Sequence, residues 1–237
     1  MNFSTDEILR PLHEQSQQQS IARARMQFAG GDEDFTRLLG EYMSLAASQK
    51  GKFLKRYGLS TGDTQTSQGT PMSLAVSPEM GRFLYNLVLM QRPARILELG
   101  SSYGVSTLYF ASALRQIGKG EIIATELDAL KCKALLENLR AAGVQSWVDL
   151  REGDVFDAVS QLEGTFDMIF MDVWASLYLD LFRKIEPFLK PGSVVITDNM
   201  YTAEEEVRAF KQYLSRNPAY SSITLDFESG VELTVMI

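Results

Sequence analysis

Three oxygen-bearing side chains stand where apolar runs end in this 237-residue sequence. FDMIFMD closes on Asp172, and PGSVVITDN closes on Asp198 and Asn199. Each run has the length and composition of a buried strand. Sequential strands usually lie side by side, so both ends are expected at one edge of a sheet. Three oxygen donors without His or Cys suit a hard divalent cation, Mg²⁺ before Ca²⁺ or Mn²⁺, with positions left open for water and substrate oxygens. Each part also has a plainer use. Asp-Asn pairs are common in turns, and Asp172 alone can cap a helix. The set of three is what points to a cation.

A second group of acids precedes them. In E98-L-G-S-S-Y-G-V-S106, Glu98 interrupts an apolar strand just before a loop. A buried acid needs a partner, and a ligand ammonium would serve. Gly100 lets the chain turn tightly against a ligand, and Gly104 opens the next helix. A helix start offers unpaired N–H groups to a carboxylate or phosphate. The G-x-x-x-G spacing is not G-x-G-x-x-G, which weakens a nicotinamide reading. The next strand ends IIATE126. An acid there accepts both hydroxyls of a nucleoside ribose, or is simply solvated. With Glu98 and Glu126 in register on neighbouring strands, the nucleoside reading gains. Asp154, in the EGD that ends the third strand, either accepts from an adenine amino group or caps a short helix.

These acids must be positioned by alternating elements. Strands are expected at 94–100, 121–126, 147–154, 166–172, 191–199, 221–227 and 231–237. Helices are expected at 104–118, 128–143, 157–162, 176–189 and 203–217. The alternation gives a doubly wound α/β fold, a mostly parallel seven-stranded sheet covered on both faces. The last two strands have no helix between them and should pair antiparallel. In such sheets ligands sit at the carboxyl ends of strands, near the topological switch point. Residues 1–70 form a helical extension and linker, and 71–237 the main domain. Helices are expected near 5–28 and 33–57, with Asp32 or Asp34 capping the second. GLSTGDTQTSQGTP (58–71) reads as a polar loop.

Composition excludes several classes. Hydrophobic residues make up 45%, ample for a core, and 23 basic against 30 acidic residues leave a net charge of −7. That argues against a nucleic-acid or anionic-membrane partner. Cys132 is the single cysteine, so no disulfide framework exists and a reducing compartment is expected. The N-terminus has no apolar signal core. No run approaches the roughly 18–20 apolar residues of a membrane span. The protein is expected to be cytoplasmic.

The set ILELGSSYGVSTLYFA, ATELD, REGD, FDMIFMDVW and VITDN resembles the class I S-adenosylmethionine-dependent methyltransferases. More narrowly, it is similar to the cation-dependent O-methyltransferases of the catechol and caffeoyl-CoA type. The lead-in MSLAVSPEMGRFL (72–84) fits too, and the match covers about residues 71–237. The resemblance implies a Rossmann-like fold and a hydroxylated small-molecule acceptor. It puts Glu98, Gly100 and Ser106 at the methionine end of S-adenosylmethionine, and Val76 and Ser77 at its carboxylate. Glu126 would hold the ribose. Asp154 and Val155 would flank the adenine, with Trp174 nearby. The family's metal would fall to Asp172, Asp198 and Asn199. Members are often dimeric, and two helices appended to a complete domain need somewhere to bury their apolar sides. A homodimer is expected.

The sequence departs from that family in one place that matters. The metal Asp is usually followed by D-x-x-K, whose lysine is the general base; here D172-V-W-A175 puts Ala175 in the lysine's position. The insertion that encloses CoA esters is also missing after Asn199, which makes caffeoyl-CoA an unsuitable substrate. A bound cation lowers the pKa of a coordinated hydroxyl, so a weak base or water can finish the deprotonation. His13, the only histidine, is another candidate by its near-neutral pKa, although a packing role is the plainer reading. Lys52 and Lys55 follow behind it. Tyr103, Tyr178 and Tyr201 read as packing or pocket walls, and Met72, Met200 and Trp174 as core or an apolar slot. The missing lysine keeps two other functions open. One is transfer to a nitrogen or carbon nucleophile, and the other a non-catalytic cofactor-binding homologue. A modified RNA base is disfavoured by the negative charge.

Overall fold

The computed structural model describes residues 3–57 and 75–237. The polar loop expected at 58–71, the boundary near residue 70 and Met72 lie outside the described residues.

Among the described residues seven strands form one sheet: β1 (Arg95–Leu99), β2 (Glu121–Glu126), β3 (Val148–Glu152), β4 (Met168–Met171), β5 (Val194–Thr197), β6 (Tyr220–Leu225) and β7 (Val231–Met236). Their order is β3-β2-β1-β4-β5-β7-β6. Pairings among β1 to β5 are parallel, and β7 runs antiparallel to both β5 and β6. This is the expected doubly wound α/β fold with its antiparallel end. The order reverses between β1 and β4, which makes their carboxyl ends the switch point.

The helices are α1 (Phe3–Gln27), α2 (Asp32–Ser44), α3 (Ala47–Arg56), α4 (Pro78–Gln91), α5 (Val105–Ile117), α6 (Ala129–Ala141), α7 (Val155–Ser160), α8 (Tyr178–Ile185) and α9 (Arg208–Arg216). Successive strand residues point to opposite faces, so β1 sends Ile96 into one core layer and Leu97 into the other. The first layer takes Leu9, Leu84, Leu108 and Leu135 from α1, α4, α5 and α6. The second takes Val159, Phe182 and Phe210 from α7, α8 and α9. No helix among the described residues is long and apolar enough to cross a membrane.

Two N-terminal expectations are corrected. The helix expected over 33–57 is broken at Leu45, whose extended backbone (ψ 146°) separates α2 from α3. Neither Asp32 nor Asp34 caps it. Gly31 is the N-cap, without a side-chain bond, and Asp32 accepts from Arg25 at 2.8 and 2.5 Å instead. Helices α2 and α3 share a small cluster in which Phe35 and Leu38 meet Phe28, Phe53 and Tyr57. The Ser48 amide of α3 also donates to Asp226 at the β6–β7 turn, 3.0 Å away. The last helix starts later than expected, at Arg208 rather than residue 203. Asn199 takes a left-handed φ of 66°, and the segment after it folds back as turns onto the β6–β7 loop.

Gly81 lets α4 approach α5 closely: a Cβ there would fall 2.0 Å from the Tyr109 ring. Gly81→Ala is therefore expected to lower stability by about 1–3 kcal/mol, the usual range for overpacking. Urea unfolding checks this, and an unchanged midpoint would contradict the packing described.

Candidate active site at the carboxyl ends of the strands

The site begins with backbone contacts at the switch point. Leu99 pairs with Met171, and Met171 with Thr197, so the three strand ends are level. The Asp172 amide donates to the Leu99 carbonyl at 2.9 Å, and the Asp198 amide to the Met171 carbonyl at 3.2 Å. Gly100 has φ +91°, and a Cβ there would come 2.2 Å from the Asp172 carbonyl oxygen. The close approach of β4 thus already demands this glycine. Beside it opens a cleft lined by Val76, Gly100, Ser101, Tyr103, Ser106 and Asp172.

Asp172, Asp198 and Asn199 come together as the sequence predicted. Asn199 lies between the acids. Its Nδ2 donates to Asp172 Oδ1 at 3.0 Å, and its backbone N–H to Asp198 Oδ1 at 2.7 Å. Ser229 donates its hydroxyl to the same Asp198 oxygen at 2.5 Å. Tyr178 donates to the Asp198 carbonyl at 3.1 Å. Asp198 is buried, whereas Asp172 keeps partial solvent access where it lines the cleft. Burial pushes the Asp172 carboxyl well above its ordinary range, and the nearby charges of Asp198 and Glu98 push it the same way. Burial also raises Asp198, opposed by its bonds from Ser229 and Asn199. Among the described residues neither acid has a Lys or Arg in ion-pair contact. The Lys131 charge lowers the Asp172 carboxyl from a distance, and two neighbouring acids without a contact ion pair ask for a cation or a shared proton. Among the described residues no three His, Cys, Asp or Glu side chains gather as a metal-binding group. The donor set here is two acids and one amide.

Glu98 is fully buried below the cleft. Its Oε2 accepts from Ser101 at 3.0 Å and Thr107 at 2.5 Å, while among the described residues no hydrogen bond reaches its Oε1. Burial raises this carboxyl, and the neighbouring hydroxyls oppose the rise. Glu98 and Glu126 are not in register. Glu98 pairs with Ala124, and Glu126 lies two residues further along, opposite Glu152. Glu126 accepts from the Ser102 amide at 2.8 Å and the Asp128 amide at 2.9 Å, one bond on each oxygen. A second lone pair on each remains for a ligand hydroxyl.

The other expected residues fall as follows. Ser77 caps α4, accepting from the Glu79 and Met80 amides, and donates to Glu228 at 2.5 Å. Asp154 is exposed and caps α7 by accepting from the Phe156 amide at 2.7 Å. Val155 opens α7 and packs against the second core layer. Trp174 is half exposed just after β4. His13 meets the Tyr109 hydroxyl at 3.2 Å, and burial pushes its imidazole pKa down. Lys52 is exposed, and the Lys55 side chain lies outside the description. Tyr103 lines the cleft, Tyr201 lies against Gly230, and Tyr178 and Met200 are core. The sequence reading missed Ser101, Thr107, Glu228 and Ser229. The first two were legible as hydroxyls flanking a buried acid. The last two sit in a loop, FESG, that carries no motif.

Residues 97–200 match a family model described as a methyltransferase domain. Over 146 residues the chain is 33% identical to the catechol O-methyltransferase of Niastella koreensis, covering 60% of this chain and 65% of that protein. It is 30% identical over 131 residues to caffeoyl-CoA O-methyltransferase 1 of Eucalyptus globulus, covering 53% and 52%. The chain thus spans less than two thirds of the length of these curated relatives. The O-methyltransferase from Bacillus cereus, solved in complex with SAH, matches the fold with a TM-score of 0.64 at 22% identity, over 88% of this chain and 93% of that one. That likeness shows the fold, a Rossmann-like sheet with an antiparallel end. In sequence the chain is similar to O-methyltransferases of the catechol and caffeoyl-CoA type over 53–60% of its length.

Proposed function

We propose that the protein is a metal-dependent O-methyltransferase that moves a methyl group from S-adenosylmethionine to a hydroxyl of a small, catechol-like aromatic molecule. The observation that carries this is a pair of acids joined by Asn199, with no Lys or Arg in ion-pair contact among the described residues, beside a buried Glu98 oxygen to which no described residue donates. The free Glu98 Oε1 fits the donor's ammonium, and Glu126 can add ribose hydroxyls to its two amide bonds. Asp172, Asp198 and Asn199 would hold the cation, which when bound would stabilise the acceptor's oxyanion. Fixing the acceptor in line with the donor supplies much of the rate gain.

Ala175 cannot take a proton, and it begins the short helical turn after Trp174. A catechol hydroxyl is acidic enough for its proton to pass to solvent once its oxyanion is stabilised. The same alanine favours a second reading, transfer to a nitrogen nucleophile with a free lone pair. An acceptor panel of catechols and amines separates the two. We propose further that the protein is a homodimer with residues 1–60 at the interface or over the acceptor. Light scattering showing a monomer at micromolar concentration would contradict that.

Glu126→Ala tests the donor assignment. Two charge-assisted hydrogen bonds lost at about 1.5–3 kcal/mol each set the upper bound of the effect. Calorimetry with S-adenosylmethionine should show clearly weaker binding, and wild-type affinity would remove Glu126 from the ribose.

A further inference from the structure

Asp198 is held by a group its own strand does not supply. The loop between β6 and β7 carries Glu228 at φ +54° and Gly230 at φ +83°. Left-handed backbone at a glutamate is uncommon and is kept only where the surroundings enforce it. Here the two left-handed residues flank Ser229. The Ser229 carbonyl accepts from the Tyr201 amide at 2.8 Å, and the Gly230 carbonyl from the Met200 amide at 2.9 Å. The loop is therefore clamped to the segment that follows Asn199. From that clamp the Ser229 hydroxyl reaches Asp198 Oδ1, which also accepts from the Asn199 amide. Both bonds fall on one oxygen. No hydrogen bond is made to Asp198 Oδ2 among the described residues. Asp172, which lines the cleft, shows the same division among the described residues: Oδ1 accepts from Asn199, and no hydrogen bond reaches Oδ2.

We propose that Ser229 is a positioning residue for Asp198: its hydroxyl turns Oδ1 inward so that Oδ2 is presented to the cation. This rests on the reading of Asp172, Asp198 and Asn199 as a metal site. Partners that orient metal ligands typically contribute a factor of about 10–100 in metal affinity. The same loop reaches further. Glu228 accepts from Ser77 at the start of α4, and Asp226 accepts from the Ser48 amide of α3. The N-terminal helices and the acid pair are thus joined through five consecutive residues.

The test uses the full chain with Mn²⁺ as the probe, as wild type, Ser229→Ala and Ser229→Thr. Calorimetry should show Mn²⁺ affinity reduced about 10- to 100-fold in Ser229→Ala, with S-adenosylmethionine affinity unchanged. Ser229→Thr keeps the hydroxyl and should recover most of the loss. Equal Mn²⁺ affinity in wild type and Ser229→Ala would overturn the proposal. A crystal structure of Ser229→Ala provides a readout free of metal. A rotated Asp198 carboxylate supports the positioning role, and an unmoved one refutes it. Absence of Mn²⁺ binding to wild type would overturn the metal reading itself, while the Asp198 rotamer would still decide what Ser229 does.

Discussion

Asp198→Ala is expected to lower methyl transfer by about a hundred- to a thousand-fold while leaving the fold and donor binding intact. The estimate follows from the several kcal/mol that a bound cation contributes to charge stabilisation, at tenfold for each 1.36 kcal/mol or so. The residues explain why the loss falls on turnover. Glu98 and Glu126 hang from β1 and β2, and neither bonds to Asp198. The substitution leaves the Ser229 hydroxyl and the Asn199 amide without their acceptor. It also removes a like charge beside Asp172, which offsets part of that destabilisation. A chelator should reproduce the loss in wild type, and added Mg²⁺ should reverse it. The assay is steady-state kinetics with a catechol acceptor, paired with calorimetry of the donor. Turnover in Asp198→Ala close to wild type would refute the role given to the acid pair. His13→Ala, by contrast, should change little, because its ring is engaged with Tyr109.

Glu98→Gln should weaken S-adenosylmethionine binding by about 10- to 100-fold, the loss of a charge-assisted bond of roughly 1.5–3 kcal/mol. Its effect on stability runs the other way. Burial raises the Glu98 carboxyl, so the folded protein holds this proton more tightly than the unfolded chain does. By linkage, folding stability falls as pH rises from the ordinary carboxylate range through the raised value, then levels. Asp172 and Asp198 act in the same direction. A ligand ammonium on the free oxygen favours the charged form, so donor binding should strengthen across the same interval. Glu98→Gln removes both dependences on this group. It should be no less stable than wild type at pH 8, with donor affinity less dependent on pH than that of wild type. Thermal melts and calorimetry from pH 5 to pH 8 check both. Unaltered donor affinity would show that Glu98 only packs beneath the cleft.

The sheet was legible because its first five strands are short apolar runs bounded by Gly, Asp and Asn, each followed by a helical pattern, and the last two follow one another without a helix. Asp172, Asp198 and Asn199 were legible for the same reason, since strand ends in a parallel sheet share an edge. The register of Glu98 and Glu126 was not. Strand ends are visible in sequence only to a residue or two, and Glu126 falls two residues beyond the partner of Glu98. The break at Leu45 was hidden among residues that suit a helix. The late start of α9 was hidden likewise, because AEEE favours helix. What delays it is the left-handed Asn199 and the clamp onto residues 229 and 230, contacts between distant segments. Ser229 was invisible for that reason also: its partner lies 31 residues earlier in the chain.

The most direct test of the central claim is a methyl-transfer assay with S-adenosylmethionine carrying a labelled methyl group and a panel of catechols. It is run on the full chain with Mg²⁺, with chelator, and with Mg²⁺ restored. The account predicts labelled O-methyl product with Mg²⁺, its loss in chelator, and its return when the cation is added back. Full activity in chelator would contradict it, as would donor binding without any transfer across the panel.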